Sequence, residues 1–156
     1  MAKDIVQIEL CWSEYIPIEK SGLYDLSGIG IYEFVHLFPD AVKPSLLYVG
    51  QTANCFRARI LWDKNYTPAL SRDLATHFRI AEIKANNYRL DELSYNVKRA
   101  LLLKIETDII NTNEPAYNKR TSEIELPFEL NYSVSNHYLE LKPYPYKYAK
   151  RNENPL

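Results

Sequence analysis

Two cysteines, Cys11 and Cys55, are all that the 156 residues hold. They form no CxxC pair and stand in no histidine cluster, so no structural zinc site is expected and both read as small buried hydrophobes. No stretch approaches the roughly 20 consecutive apolar residues that span a bilayer. The opening segment MAKDIVQIEL is acidic early and has neither an apolar core nor a small-residue cleavage site. The expectation is therefore a protein with no export signal and no membrane partner, working in the cytoplasm. Internal repeats and low-complexity blocks are missing too. The length points to one domain over 1–156, large enough to bury about two-thirds of its unfolded surface.

A strong net charge is also lacking, since the whole chain carries −1. The charge is unevenly spread, however. Residues 1–50 carry −4, residues 51–104 carry +5 and residues 105–156 carry −2. The middle third is a local basic region of the kind that binds phosphate, although solvated faces of many proteins look the same. What the chain has in quantity is tyrosine, thirteen of them.

Alternation in IVQIELCW (5–12) predicts a short strand with Ile8, Leu10 and Trp12 on one face. The apolar, β-branched and aromatic run IGIYEFVHLF (29–38) predicts a second strand, and Pro39-Asp40 a turn. SLLYVG (45–50) completes a hairpin that carries Tyr32 on one strand and Tyr48 on the other. Asn54 stands where a helix cap is expected ahead of CFRARILW. HFRIAEIK (77–84) alternates like a further strand. From Asp91 to Asn111 the pattern is helical, with Val97, Ala100, Leu101, Leu103, Lys104, Ile105 and Ile109 on a broad face. Pro115 ends it, because proline lacks the amide donor. Residues 122–141 again look strand-like, and the tail KPYPYKYAKRNENPL reads as irregular. The order β-β-α-β-α with added terminal strands predicts an α+β fold, a small central antiparallel or mixed sheet flanked by helices.

Hydrolysing a phosphodiester needs a base for water, a cation against the charge growing on phosphate, help for the leaving oxygen, and a frame that holds them together. One metal ion and one fixed charged donor each contribute several kcal/mol, so one carboxylate, one arginine and a phenol form a workable minimum. These residue types occur here in a familiar order. Gly30-Ile31-Tyr32 spells GIY, and sixteen residues after Tyr32 stands Tyr48-Val49-Gly50, a YIG variant followed by Gln51-Thr52. NCFRARI follows, then Glu106 within IETDIIN and Asn118 within EPAYNKR. From about residue 29 to 120 the chain resembles the GIY-YIG endonucleases, leaving 121–156 as a C-terminal extension.

That resemblance implies a DNA phosphodiesterase with Tyr32, Tyr48, Arg59, Glu106 and Asn118 at its centre. One of the two phenols would activate water, with Tyr32 favoured and Tyr48 orienting it. Tyrosine's usual pKa of about 10 requires a neighbouring arginine or metal for that part. The helical arginine aligns as Arg59 with one inserted residue, and Arg57 stays open as the alternative. Its fork of donors suits a phosphate oxygen. Glu106 has Leu102, Leu103, Ile109 and Ile110 as helical neighbours, where a carboxylate is costly unless paired or bound to metal. One carboxylate plus waters and phosphate suits Mg²⁺, or Mn²⁺ in its place. Asn118 would anchor the site by hydrogen bonds. Gly50, Arg57, His77 and Lys119 are further candidates for contact with substrate, Gly50 through close approach of the backbone. Where the family carries a His or Tyr about four residues past its arginine, this chain has Asp63; Tyr66 or His77 could substitute. With no added zinc finger or helix-turn-helix in view, a compact restriction-type or mobile-element nuclease is expected, cutting both strands as a homodimer. The alternative is a decayed module that holds DNA or a protein partner without cutting.

Overall fold

The apolar run after residue 29 becomes the middle of a sheet. The computed structural model describes residues 5–40, 42–62, 74–85, 92–118 and 124–144. Within them lie six strands: β1 (Ile5–Trp12), β2 (Ile16–Pro17), β3 (Gly30–His36), β4 (Ser45–Thr52), β5 (His77–Ala85) and β6 (Glu129–Val134). One long α-helix, α1 (Tyr95–Asn113), joins a short 3-10 helix (Ile18–Leu23) and a π-helical turn (Ala58–Trp62). The sheet runs in the order β4-β3-β5-β1-β6, and β2 also pairs with β5. Pairing is antiparallel from β4 to β1, and β6 lies parallel to β1. The fold is therefore α+β with a mixed sheet, but it carries fewer flanking helices than the sequence suggests.

β3 is buried along six consecutive residues because it has strands on both edges and side chains packed on both faces. On one face Ile31, Val49, Ala81 and Ile83 meet Leu101, Leu102 and Ile105 of α1. On the other, Tyr32, Phe34, Phe78 and Ile80 pack with Leu26, Phe56 and Ile60. Burying each of the phenylalanines contributes about 2 kcal/mol.

Ser94 caps α1, its side chain accepting from the Val97 amide at 3.3 Å. The helix ends at Glu114, which takes a left-handed φ of 48° and donates its N–H to the Ile110 carbonyl at 2.8 Å. Pro115 then prevents continuation. The buried helical residues are Leu101, Leu102, Ile105, Thr107 and Ile110. The expected face held Leu103 and Ile109 instead of Leu102 and Ile110. The stretch is apolar on nearly every side, so its pattern leaves the rotation about the axis open. Among the described residues, no helix is long and apolar enough to cross a membrane.

After Asn54 the chain is helical over 56–62, its last five residues as the π-helical turn, up to the end of that described stretch. The start of this segment is tied to the strand before it by Thr52, whose Oγ1 accepts the Asn54 N–H at 3.2 Å and donates to the Cys55 carbonyl at 3.3 Å. It is also tied to the entry of β3, since Phe56 N–H donates to the Gly28 carbonyl at 2.9 Å and Arg57 N–H to Leu26 at 2.8 Å. Gly30, at φ 151°, lets the chain pass under this turn: a Cβ there would collide with the Ala81 carbonyl and stand 3.0 Å from the Phe56 ring.

Candidate active site

Antiparallel register sets the two phenols together. Tyr32 stands opposite Gly50 and Phe34 opposite Tyr48, so all four project from the same face. The Tyr32 and Tyr48 rings have centroids 6.3 Å apart, tilted by 33°. Tyr32 lies across Gly50 so closely that a Cβ there would overlap its ring and hydroxyl. The missing side chain of Gly50 thus gives room to the Tyr32 ring. Tyr32 is only 4% exposed, and Tyr48 is half-buried.

Two further charged groups act on Tyr48 from other elements. Burial pushes its hydroxyl above the usual tyrosine value, and the Glu106 carboxylate pushes the same way. Arg59 and a hydrogen bond with the Tyr32 side chain work against that rise. Glu106 comes from the middle of α1, Arg59 from the π-helical turn. Burial pushes the Glu106 carboxyl up to about 7, although Arg59 opposes it. Four elements thus bring Tyr32, Tyr48, Arg59 and Glu106 into one electrostatic neighbourhood.

Asn118 fixes the strand between these groups. Its Oδ1 accepts from the Val49 amide at 2.8 Å and its Nδ2 donates to the Val49 carbonyl at 3.0 Å. The preceding residues continue the strap along β4, with Tyr117 N–H donating to the Leu47 carbonyl at 2.8 Å. By geometry Asn118 holds Val49, the residue between Tyr48 and Gly50.

The structure separates the two arginines. Arg57 donates Nη2 to the Tyr24 carbonyl at 3.3 Å and stacks on the Tyr144 ring at 4.1 Å, while Arg59 is the one felt by Glu106 and Tyr48. Arg57 is thus held by its own chain. His77 is not brought to the group. It pairs with Val35, three residues before the Ile80 that faces Tyr32, an odd offset that puts it on the other face of the sheet. Its Nδ1 is hydrogen-bonded to the Thr76 hydroxyl at 2.8 Å. Lys119, Asp63 and Tyr66 lie outside the described residues, as does the tail from residue 145.

The basic middle third is partly spent inside the protein. Arg79 binds Glu33 at 2.5 Å, and Lys104 reaches Asp108 at 3.5 Å. Sequence reasoning missed three residues that surround Arg59: Gln51, Tyr95 and Arg99 line a polar cavity with it. The seven-residue step from Arg99 to Glu106, two helical turns, was the available signal. A larger hollow of about 450 Å³ lies beside Lys104 and Phe128, apart from the phenols.

Among the described residues, no group of three or more His, Cys, Asp or Glu could hold a metal. Glu106 fits a different kind of site, in which one carboxylate binds a hard cation and water and phosphate complete the shell. A carboxyl held protonated by burial is also one that a cation would ionise. Set against family models, curated proteins and solved structures, the chain matched none in any of the three comparisons.

Proposed function

We propose that this chain is a metal-dependent endonuclease of the GIY-YIG type, hydrolysing DNA phosphodiester bonds. The observation that carries the reading is the meeting of Glu106, Arg59, Tyr48 and Tyr32 from four separate elements, with the carboxyl held near 7 by burial. Glu106 would hold Mg²⁺ or Mn²⁺, which supplies charge neutralisation at the phosphate. The rest is the work of the chain. Arg59, exposed at the surface, donates to a non-bridging oxygen of the scissile phosphate. Tyr48, as the phenolate that the Arg59 charge favours, takes the proton of the attacking water, because Tyr32 is almost wholly covered. The water oxygen bonds to phosphorus, the ester P–O bond breaks, and the departing oxygen leaves with a proton from solvent. This exchanges the parts that the sequence favoured for the two phenols. Two copies acting together would cut both strands.

A second reading has one observation in its favour. Burial and Glu106 both hold Tyr48 protonated, which suits a module that binds DNA without cutting it. Plasmid DNA incubated with protein and Mg²⁺ separates the two. The nuclease reading expects nicked and linear products that fall about a hundred- to a thousandfold in Glu106→Gln, the scale for losing one fixed group that stabilises the transition state. Retention of DNA on a gel with no cutting under Mg²⁺ or Mn²⁺ would favour the binding module.

A further inference from the structure

Arg59 borders a second feature that the chemistry above does not use. A cavity of about 250 Å³ is lined by Gln51, Thr52, Asn54, Arg59, Tyr95 and Arg99. The lining is almost wholly polar and holds no carboxylate. Two guanidinium groups from different elements, the π-helical turn and α1, face one hollow. Two like charges side by side favour an anion between them, in addition to the Glu106 carboxyl that already acts on Arg59. Asn54 and Tyr95 add neutral donors. Arg99 stands two turns before Glu106 on the same helix, roughly 10 Å along the axis. At about 3.4 Å of rise per nucleotide in one strand, that is about three steps from the carboxylate.

We infer that this cavity holds a non-scissile backbone phosphate of the bound strand, with Arg99 as its principal donor and Arg59 shared with the scissile position. The inference rests on the nuclease reading only in taking a nucleic acid as the substrate. A free phosphate offers the same chemistry, and the test separates the two sources.

Binding of a labelled 20-base-pair duplex is measured in EDTA across a salt series, so that no cutting intrudes. Arg99→Ala is expected to weaken binding roughly tenfold, the effect of one lost charge-assisted hydrogen bond. It should also lower the slope of log affinity against log salt by about one, the signature of one lost phosphate contact. Arg99→Lys should restore the slope, and Lys98→Ala, one residue away and outside the cavity lining, should leave binding nearly unchanged. An unchanged slope in Arg99→Ala overturns the inference while leaving the Glu106-dependent cutting as it was. No binding by the wild type at low salt overturns it as well. An Arg99-dependent slope in a protein that cuts nothing upholds the inference and removes only the hydrolytic reading. In the last arm, inorganic phosphate replaces chloride at fixed ionic strength. Thermal stabilisation of the wild type but not of Arg99→Ala, with equal oligonucleotide slopes, would assign the cavity to free phosphate and overturn the strand assignment.

Discussion

Glu33 and Glu106 are both glutamates set among apolar neighbours, and each has an arginine near it, yet the protein treats them in opposite ways. Glu33 is 5% exposed and accepts the Arg79 Nε directly at 2.5 Å. The same guanidinium lies over the Trp12 ring at 4.1 Å and the Tyr15 ring at 4.8 Å. Charge, donors and aromatic faces are all matched there. Glu106 is also largely covered, but Arg59 offsets too little of the cost of burial, and the carboxyl rises to about 7. The first pair closes the sheet's inner face; the second leaves a carboxylate for which a cation would be a gain. The contrast is between a carboxylate with a close, matched partner on β3 and one on α1 whose arginine offsets burial only in part.

The comparison breaks if the two glutamates respond alike to removal. Glu33→Ala leaves the Arg79 charge between Trp12 and Tyr15 without its partner. Stripping one member from a covered ion pair costs about 3 kcal/mol. Urea unfolding at pH 7 should show that loss as a lower midpoint with unchanged slope. Glu106→Gln should instead hold or gain stability at pH 8. A loss there as large as for Glu33 would mean that Glu106 is a structural residue.

The next effect is in pH. Folded Glu106 keeps its proton up to about pH 7, whereas an unfolded one releases it near 4.5. The folded state therefore binds more protons in this window, and stability falls as pH rises from 4.5 to 7. Below the window the group contributes nothing either way; above it the full penalty remains, about 2 kcal/mol at 1.36 kcal/mol per pH unit with allowance for residual exposure. Thermal melts of wild type against Glu106→Gln should differ most at pH 8 and converge near pH 4. Millimolar Mg²⁺ should raise the wild-type melting temperature at pH 8 and leave the variant where it is. Convergence at pH 8 instead, with divergence in acid, would reverse the sign and remove the electrostatic account.

How much of this was open to sequence reasoning depends on the distance over which each interaction acts. The hairpin with Tyr32 and Tyr48 was legible, since alternation and the Pro39-Asp40 turn are local signals and register follows from them. The end of α1 was legible for the same reason, since Pro115 acts on its own neighbours, whereas its start, expected at Asp91, lies at Tyr95. Rotation of α1 was not, because Leu101, Leu102, Leu103, Ile109 and Ile110 offer apolar faces on most sides and only the sheet selects among them. The choice between Arg57 and Arg59 was equally hidden. It turns on Tyr24 and Tyr144, which meet Arg57 from 33 and 87 positions away in the chain. The parallel pairing of β6 with β1 across the whole chain left no local mark at all.

Two smaller changes sharpen the comparison by leaving both glutamates in place. Gly50→Ala puts a methyl where the Tyr32 ring and hydroxyl already lie. Overpacking of this kind costs about 2 kcal/mol, and Tyr32 must move away from Tyr48. Cutting should fall with it, and a tyrosine fluorescence or near-ultraviolet dichroism change should accompany the loss. Normal activity in a stable Gly50→Ala protein would show that Tyr32 has no part in holding Tyr48.

Asn118→Ala is expected to be milder in stability and more telling in function. It removes two hydrogen bonds, one from Val49 N–H and one to Val49 C=O. Because water can reach this half-covered edge, the net cost should be about 1 kcal/mol. Val49 stands between Tyr48 and Gly50, so a looser Val49 lets the phenol drift on β4, while Glu33, the register partner of Val49 on β3, is still held by Arg79. Hydrogen exchange should therefore quicken at the Val49 amide and stay slow at Glu33. The rate constant for cutting should drop more than the affinity for DNA, because binding does not depend on where the Tyr48 oxygen points. Asn118→Asp keeps the acceptor for the Val49 amide, loses the donor to its carbonyl, and should fall between wild type and Ala. Equal cutting by all three, alongside faster exchange at Val49, would reduce Asn118 to a strap on the sheet edge with no bearing on the phenols.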